Sequence, residues 1–158
     1  MGSVERVRAA LLAAGHADTI VPAPAGARTA AEAAAGVGCD VAQIVKSLVF
    51  RGEAAPVLVI ASGANRVDQA KVAAAAGTAI GRADAAYVRE KTGFAIGGVA
   101  PVGHLTEPVV IFDEDLLKLD PIWAAAGSPD KVFRTSAVDL LRITGARAAD
   151  ICEPRSAQ

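Results

Sequence analysis

Two stretches of the chain carry residue types that can do chemistry. The first, Ile44-Val45-Lys46-Ser47-Leu48-Val49-Phe50, sets a lysine inside an apolar run of strand character. The second runs from Thr92 to His104, Thr-Gly-Phe-Ala-Ile-Gly-Gly-Val-Ala-Pro-Val-Gly-His, where an apolar segment breaks into a glycine-rich turn closed by Pro101. Gly97 and Gly98 allow the backbone to approach a ligand closely and to reach positive φ, while Pro101 fixes φ and limits how far the turn can flex. Successive N–H groups in such a turn can form an anion nest or an oxyanion hole. Alone, a loop of this kind is more often a tight connection between strands; the lysine-bearing strand beside it favours a site.

Strand alternation puts Ile44, Lys46, Leu48 and Phe50 on one face of that run, with Val45, Ser47, Val49 and Arg51 on the other. Lys46 thus falls on the more apolar face. Inside a sheet its ammonium needs an anionic partner or a wet cleft; at a strand end it can instead snorkel past the edge. Of the two histidines, His16 follows the first helix and only His104 is near the suspected site, either as a surface residue or as a hydrogen-bonding group for a ligand. There is no G-x-S-x-G elbow, P-loop, dinucleotide fingerprint or H-E-x-x-H. A lysine, a nest of N–H groups and polar residues such as Ser47 suit hydrolysis of an already activated ester, where orientation and oxyanion stabilisation supply most of the acceleration.

The elements that must position these residues follow from composition and punctuation. With 158 residues, 53% of them hydrophobic, residues 1–158 fit one domain with a sizeable core. A net charge of −1 with no basic run argues against a broad footprint on duplex DNA, although contact with a nucleic-acid end is compatible with it. Cys39 and Cys152 stand far apart with no ligand spacing, which argues against a zinc site or a disulfide and for a reducing, cytoplasmic setting. The N-terminus lacks a signal-peptide core and no apolar stretch is long enough to cross a bilayer, so a soluble protein without a membrane partner is expected.

In chain order, Ser3 is expected to cap a helix with Val4, Val7, Leu11 and Leu12 on one face, stopped by Gly15. Residues 19–23 form a short extended run, Thr29 to Glu32 a capping box opening an alanine-rich helix, and Asp40 with Gln43 a one-turn repeat of that device. Strands 44–51 and 56–61 make a hairpin, followed by a helix over about 66–76 capped by Asn65, a short strand at 78–80, and a helix from Ala85 capped by Asp84 and ended by Gly93. Past the glycine loop, a strand at 108–113, a helical turn from Pro121 through Trp123, a strand at 132–135, a helix capped by Ser136 and a last strand at 150–152 complete the reading. The pattern predicts an α/β (α+β) fold, a mixed sheet with helices outside it.

Three motifs in this order, Val-Lys-Ser-Leu-Val-Phe around Lys46, Ser-Gly-Ala-Asn-Arg-Val-Asp from Ser62, and the glycine loop, resemble the YbaK-type family, which includes the editing domain inserted in bacterial prolyl-tRNA synthetases. The resemblance spans about Val4 to Ile151. It implies a barrel-like mixed sheet and a free-standing hydrolase of mischarged aminoacyl-tRNA, chiefly tRNA for proline, with no metal or cofactor. By it, Lys46 matches the essential lysine of the editing pocket, and Gly97-Gly98-Val99-Ala100-Pro101 matches the G-x-x-x-P loop that holds the terminal adenosine and the aminoacyl ester. Gly103 and His104 lie just beyond that loop and join Ser47 as candidate substrate contacts. Water activation by the substrate's own ribose hydroxyl, proposed for the family, would explain the lack of an obvious protein base.

Two departures bear on the amino acid removed. The first strand carries Thr19-Ile20-Val21 where the cysteine-directed branch has a tyrosine, and the later loop carries Ser128-Pro129-Asp130 where the alanine-directed branch has a histidine. Alanine, cysteine, serine and threonine on proline tRNA all stay open. Such an enzyme is a second sieve, removing amino acids that a synthetase cannot reject by the small energy of a methylene. It would grip the 3′ end of the tRNA, leaving the body to a synthetase or elongation factor. The alternative is a non-catalytic module that binds a nucleotide or the tRNA 3′ end.

Overall fold

The computed structural model describes residues 2–27 and 29–154. In chain order its elements are α1 (Ser3–Ala13), β1 (Ile20–Pro22), α2 (Ala30–Val37), β2 (Val45–Gly52), β3 (Pro56–Ser62), α3 (Gln69–Ala76), β4 (Ile80–Arg82), α4 (Ala85–Thr92), β5 (Val109–Asp113), β6 (Ile122–Ala125), β7 (Lys131–Thr135), α5 (Ala137–Thr144) and β8 (Arg147–Ala149), with short 3-10 turns at Val41–Gln43 and Glu114–Lys118.

Strand β3 is the centre of the molecule because every one of its residues is buried. Leu58 and Ile60 point to one apolar cluster with Val7, Leu11, Phe94, Phe112 and Leu140. Val57, Val59 and Ala61 point to a second with Val72, Ile111 and Ile151. A strand covered on both faces can be apolar at every position, so the unbroken run Pro-Val-Leu-Val-Ile-Ala is its sequence signature. Around it lies a five-stranded mixed sheet of order β4-β2-β3-β5-β8, in which β2 runs antiparallel to β3 and β4, while β5 runs parallel to β3 and β8. A three-stranded antiparallel sheet, β1-β7-β6, meets it at a parallel bridge between Ile44 and Trp123.

The helix signals act largely as expected. Thr29 Oγ1 accepts from Glu32 N at 3.1 Å, Asp84 Oδ1 from Tyr87 N at 2.8 Å and Ser136 Oγ from Asp139 N at 3.1 Å, each satisfying an N-terminal donor. Gln43 Oε1 accepts from Asp40 N at 2.9 Å, completing the one-turn capping box. Tyr87 and Val88 face inward, whereas Leu12 and Val138 are exposed.

Five expectations are corrected. Ser3 is the first residue of α1 rather than its cap, a position taken by Gly2. Helix α3 begins at Gln69 with Asp68 as cap, its Oδ1 accepting from Ala70 N at 2.9 Å and Lys71 N at 3.2 Å, because the Asn65 side chain bonds elsewhere. The short strand near 78–80 is Ile80–Arg82, the part that meets the end of β2. Trp123 lies in strand β6, whose alternate residues Ile122 and Ala124 are buried against the core while the ladder pairs with β7. The last strand is Arg147–Ala149, and Cys152 makes only an isolated bridge to Val67.

Candidate functional site

Lys46 sits near the start of β2, with Ala61 opposite on β3. It is half-buried and forms no ion pair among the described residues. Its Nζ donates to the backbone carbonyl of Asn65. That carbonyl is placed by a turn built from both sides. Gly63 N donates to Ile44 O at 2.6 Å, and a Cβ on Gly63 would come within 2.7 Å of Val41 O and 2.8 Å of Ile44 O, so no larger residue fits there. Ser62 Oγ donates to Ala42 O at 2.7 Å. On the far side, Asp113 ends β5 with its carboxylate fully inside the protein; Oδ2 accepts from Ser62 N at 3.0 Å and Asn65 Nδ2 at 2.8 Å, and Oδ1 from Asp115 N at 2.9 Å. Asn65 Nδ2 also donates to Asp115 Oδ2 at 2.8 Å. Three donors compensate the buried Asp113 charge, and the same bonds fix the turn that holds the lysine.

The outer edge of β2 is left open beside Lys46. Strand β4 pairs only with Phe50–Gly52, and among the described residues β6 makes a single ladder bridge on this side, between Trp123 and Ile44 just before β2. Since Ile44 O is bonded to Gly63 on the β3 side, alternation turns the peptide groups of Ser47 and Val49 toward the gap. A cleft of about 400 Å³ occupies it, bounded by Lys46, Ser47, Val88, Ile96, Gly97 and Val99. A second cleft of about 220 Å³ shares Lys46 and Gly97 and extends to Trp123, Pro129 and Lys131. Ser47 Oγ is buried without a hydrogen-bond partner among the described residues, on the face opposite Lys46.

The glycine loop forms the other wall. Helix α4 ends at Gly93 with φ 80°, Phe94 is buried as an anchor, and Gly98 N donates to Ala95 O at 3.0 Å to make the turn. Gly97 adopts φ 94°, the positive value that the sequence suggested, and is exposed at the mouth of both clefts. Gly98 serves a different purpose. A Cβ there would lie 2.7 Å from Ser128 Cα and 2.9 Å from Ser128 C, so its lack of a side chain lets the loop pack against the 128–129 segment.

The sequence candidates therefore divide into groups. Lys46, Ser47, Gly97 and Val99 meet at one cleft. Gly98 and Ala100 are buried behind it. Pro101, Gly103 and His104 line a separate cavity of about 410 Å³ against Ala10 and Ala13 of α1. His104 Nε2 donates to Ala100 O at 2.6 Å, its ring meets Phe94 edge-on at 5.2 Å, and Nδ1 is buried without a partner among the described residues. Burial pulls its pKa below the ordinary value, so the ring is neutral and acts as a packing piece.

Sequence reasoning gave no site role to Asn65, Asp113 or Asp115; the signal that could have found Asp113 is an acidic residue closing an otherwise apolar strand. One donor trio was also missed. Asp113, Asp115 and Cys152 bring one ligand atom each within 4.8 Å of one another. The carboxylates are engaged with Ser62, Asn65 and Asp115 N as above, and burial with the neighbouring acids pushes the Cys152 thiol up to about 12, so it stays protonated.

What fold and cleft together define is an α/β domain in which a lysine, an open strand edge and a glycine turn bound one cleft. Residues 24–143 match the aminoacyl-tRNA editing domain, and the chain belongs to that family. The chain is 47% identical to the crystal structure of a proposed trans-editing enzyme for prolyl tRNA synthetase, with a TM-score of 0.91 over 98% of this chain and 99% of that one. It is 30% identical to the hypothetical protein APE2540, with a TM-score of 0.85 over 94% and 99% of the two chains. YwhH of Bacillus subtilis (strain 168), a protein described as uncharacterized, is 31% identical over 127 residues, 79% of this chain and 81% of its own length.

Proposed function

We propose that this protein is a trans-acting deacylase that hydrolyses the ester of mischarged aminoacyl-tRNA, with proline tRNA carrying alanine, cysteine, serine or threonine as the substrate class. The observation that carries this reading is the convergence of Lys46 and Gly97 on one cleft beside the open edge of β2. Lys46 supplies a fixed positive charge for a ribose or phosphate oxygen, and the peptide groups of Ser47, Val49 and the 97–99 turn supply hydrogen-bonding partners for the ester and the terminal adenosine. No histidine or carboxylate lines the larger cleft among its described residues. By the resemblance to the YbaK-type family, a hydroxyl of the substrate's terminal ribose activates the attacking water, and the protein contributes orientation and oxyanion stabilisation. The reaction needs no metal or cofactor.

Val45, Val88 and Val99 give the cleft apolar walls suited to a small side chain. The tRNA body is left to a synthetase or elongation factor in the cytoplasm, which fits the net charge of −1. No helix among the described residues is long and apolar enough to cross a membrane. The test is release of amino acid from proline tRNA charged with alanine, cysteine, serine, threonine or proline. Hydrolysis of one or more of the first four, with prolyl-tRNA spared, is the expected result. Binding of the charged 3′ end without release would favour a non-catalytic module.

A further inference from the structure

The glycine loop is fastened from outside the cleft by one residue of the first helix. Arg6 lies on α1, half-buried, and does not line the Lys46 cleft. Its Nε donates to Gly103 O at 3.0 Å and its Nη2 to Thr92 O at 3.2 Å, so a single guanidinium joins the two ends of the loop. Its Cζ stands 4.8 Å from the centre of the Phe94 ring, inside the loop's base. The loop is cut to admit it. A Cβ on Gly93 would fall 2.3 Å from Arg6 Nη2, and one on Gly103 would fall 3.2 Å from Arg6 O. Thr92 O also accepts from Leu105 N at 3.2 Å, so backbone and guanidinium close the loop at the same carbonyl.

The same helix holds the segment on which the loop rests. Ser3 Oγ donates to Gly127 O at 2.7 Å, and Gly127, at φ 100°, has no room for a side chain because Ser3 O would lie 2.8 Å from its Cβ. Ser128 follows directly and is the residue against which Gly98 packs. The first two turns of α1 thus brace both segments that place Gly97 opposite Lys46. Val7 and Leu11, fully buried, tie that brace to the core.

We propose that Arg6 is a positioning residue for the reaction: by pinning Thr92 O and Gly103 O to α1, it fixes where the 97–99 turn stands relative to Lys46. A planar fork with several donors is suited to bridging two carbonyls, whereas a lysine ammonium is a point charge without that geometry. The kinetic part of this inference rests on the deacylase reading; the structural part does not.

The experiment compares wild type, Arg6→Ala and Arg6→Lys in deacylation of mischarged proline tRNA and in amide hydrogen exchange, with and without methylguanidinium. Loss of the brace is expected to lower kcat by about tenfold or more with KM changed by less than about threefold, since misplacing the turn costs orientation rather than affinity. Arg6→Lys should recover little. Amides of residues 94–103 should exchange faster while those of β3 and β5 keep wild-type protection, and methylguanidinium should restore part of both kcat and loop protection. Wild-type kcat in Arg6→Ala overturns the proposal. So does a loss accompanied by faster exchange throughout β3 and β5 without methylguanidinium rescue, which marks a merely structural residue. If the wild type hydrolyses none of the substrates, the functional reading fails, and loop-confined exchange in Arg6→Ala alone decides whether Arg6 pins the loop.

Discussion

Lys46 Nζ donates to the backbone carbonyl of Asn65, and the side chain of that same Asn65 donates to Asp113 Oδ2 and Asp115 Oδ2 at 2.8 Å each. The ammonium of Lys46, a residue that lines both clefts, is thus held by a turn anchored on an acidic pair that lines neither of them. Charge at the site and the rigidity behind it come from different segments.

Lys46→Ala should leave the fold intact and remove most of the hydrolysis. The side chain is half-buried and its hydrogen bond is to the backbone carbonyl of Asn65, so its loss should lower stability by no more than about 1 kcal/mol. Thermal unfolding and single-turnover deacylation measure the two quantities; a variant as fast as wild type would remove Lys46 from the site.

Asp113→Ala should act in the opposite sense, mainly on stability. It strands the donors of Ser62 N, Asn65 Nδ2 and Asp115 N in a buried setting, for a loss of about 3 kcal/mol, whereas Asp115→Ala, only half-buried, should cost about 1 kcal/mol. Denaturant unfolding checks the order; equal midpoints for the two variants would contradict it.

The two central glycines should respond differently to a methyl group. Gly98→Ala drives a Cβ against the Ser128 backbone and should displace the loop, so both stability and turnover fall. Gly97→Ala meets only Pro129 Cγ at 3.9 Å, but it must hold φ 94°, a strain of about 1 to 2 kcal/mol. Its turnover should fall less than that of Gly98→Ala at a temperature where both are folded. Pro101→Ala, behind the cleft, should lower turnover more than affinity for the tRNA end; equal losses in both would favour a binding module.

His104 gives the fold a pH dependence of known sign. Its folded pKa lies below the ordinary 6.5 because burial disfavours the imidazolium. Above 6.5 the ring is neutral in both states; as pH falls below that value the unfolded chain takes up the proton first, and stability declines until the folded pKa is passed. His104→Gln should flatten that decline below about pH 6.5. Melting temperatures of both proteins across the interval provide the check, and parallel curves would show that another group is responsible.

Short-range physics made much of this legible in the sequence. The caps at Thr29, Asp84 and Ser136 depend on groups three residues apart, and the positive φ at Gly97 on the absence of a Cβ, so local chemistry suffices for them. The central, buried β3 follows from its unbroken apolar run, and the face that Lys46 shares with Leu48 and Phe50 from strand alternation. Trp123 was different: Pro121 fits a helix start as well as a strand start, and pairing with β7 settled the matter. Likewise, Asn65 has the chemistry of a helix cap, and only the arrival of Asp113 and Asp115 beside it redirected its side chain and left the cap to Asp68. Gly98 facing Ser128 and Arg6 bridging Thr92 to Gly103 are contacts between residues far apart in the chain, with no local preference to announce them. The sequence by itself determined the chemistry available and the backbone that could carry it; the tertiary structure decided which groups share a cleft, because that choice is made by long-range packing.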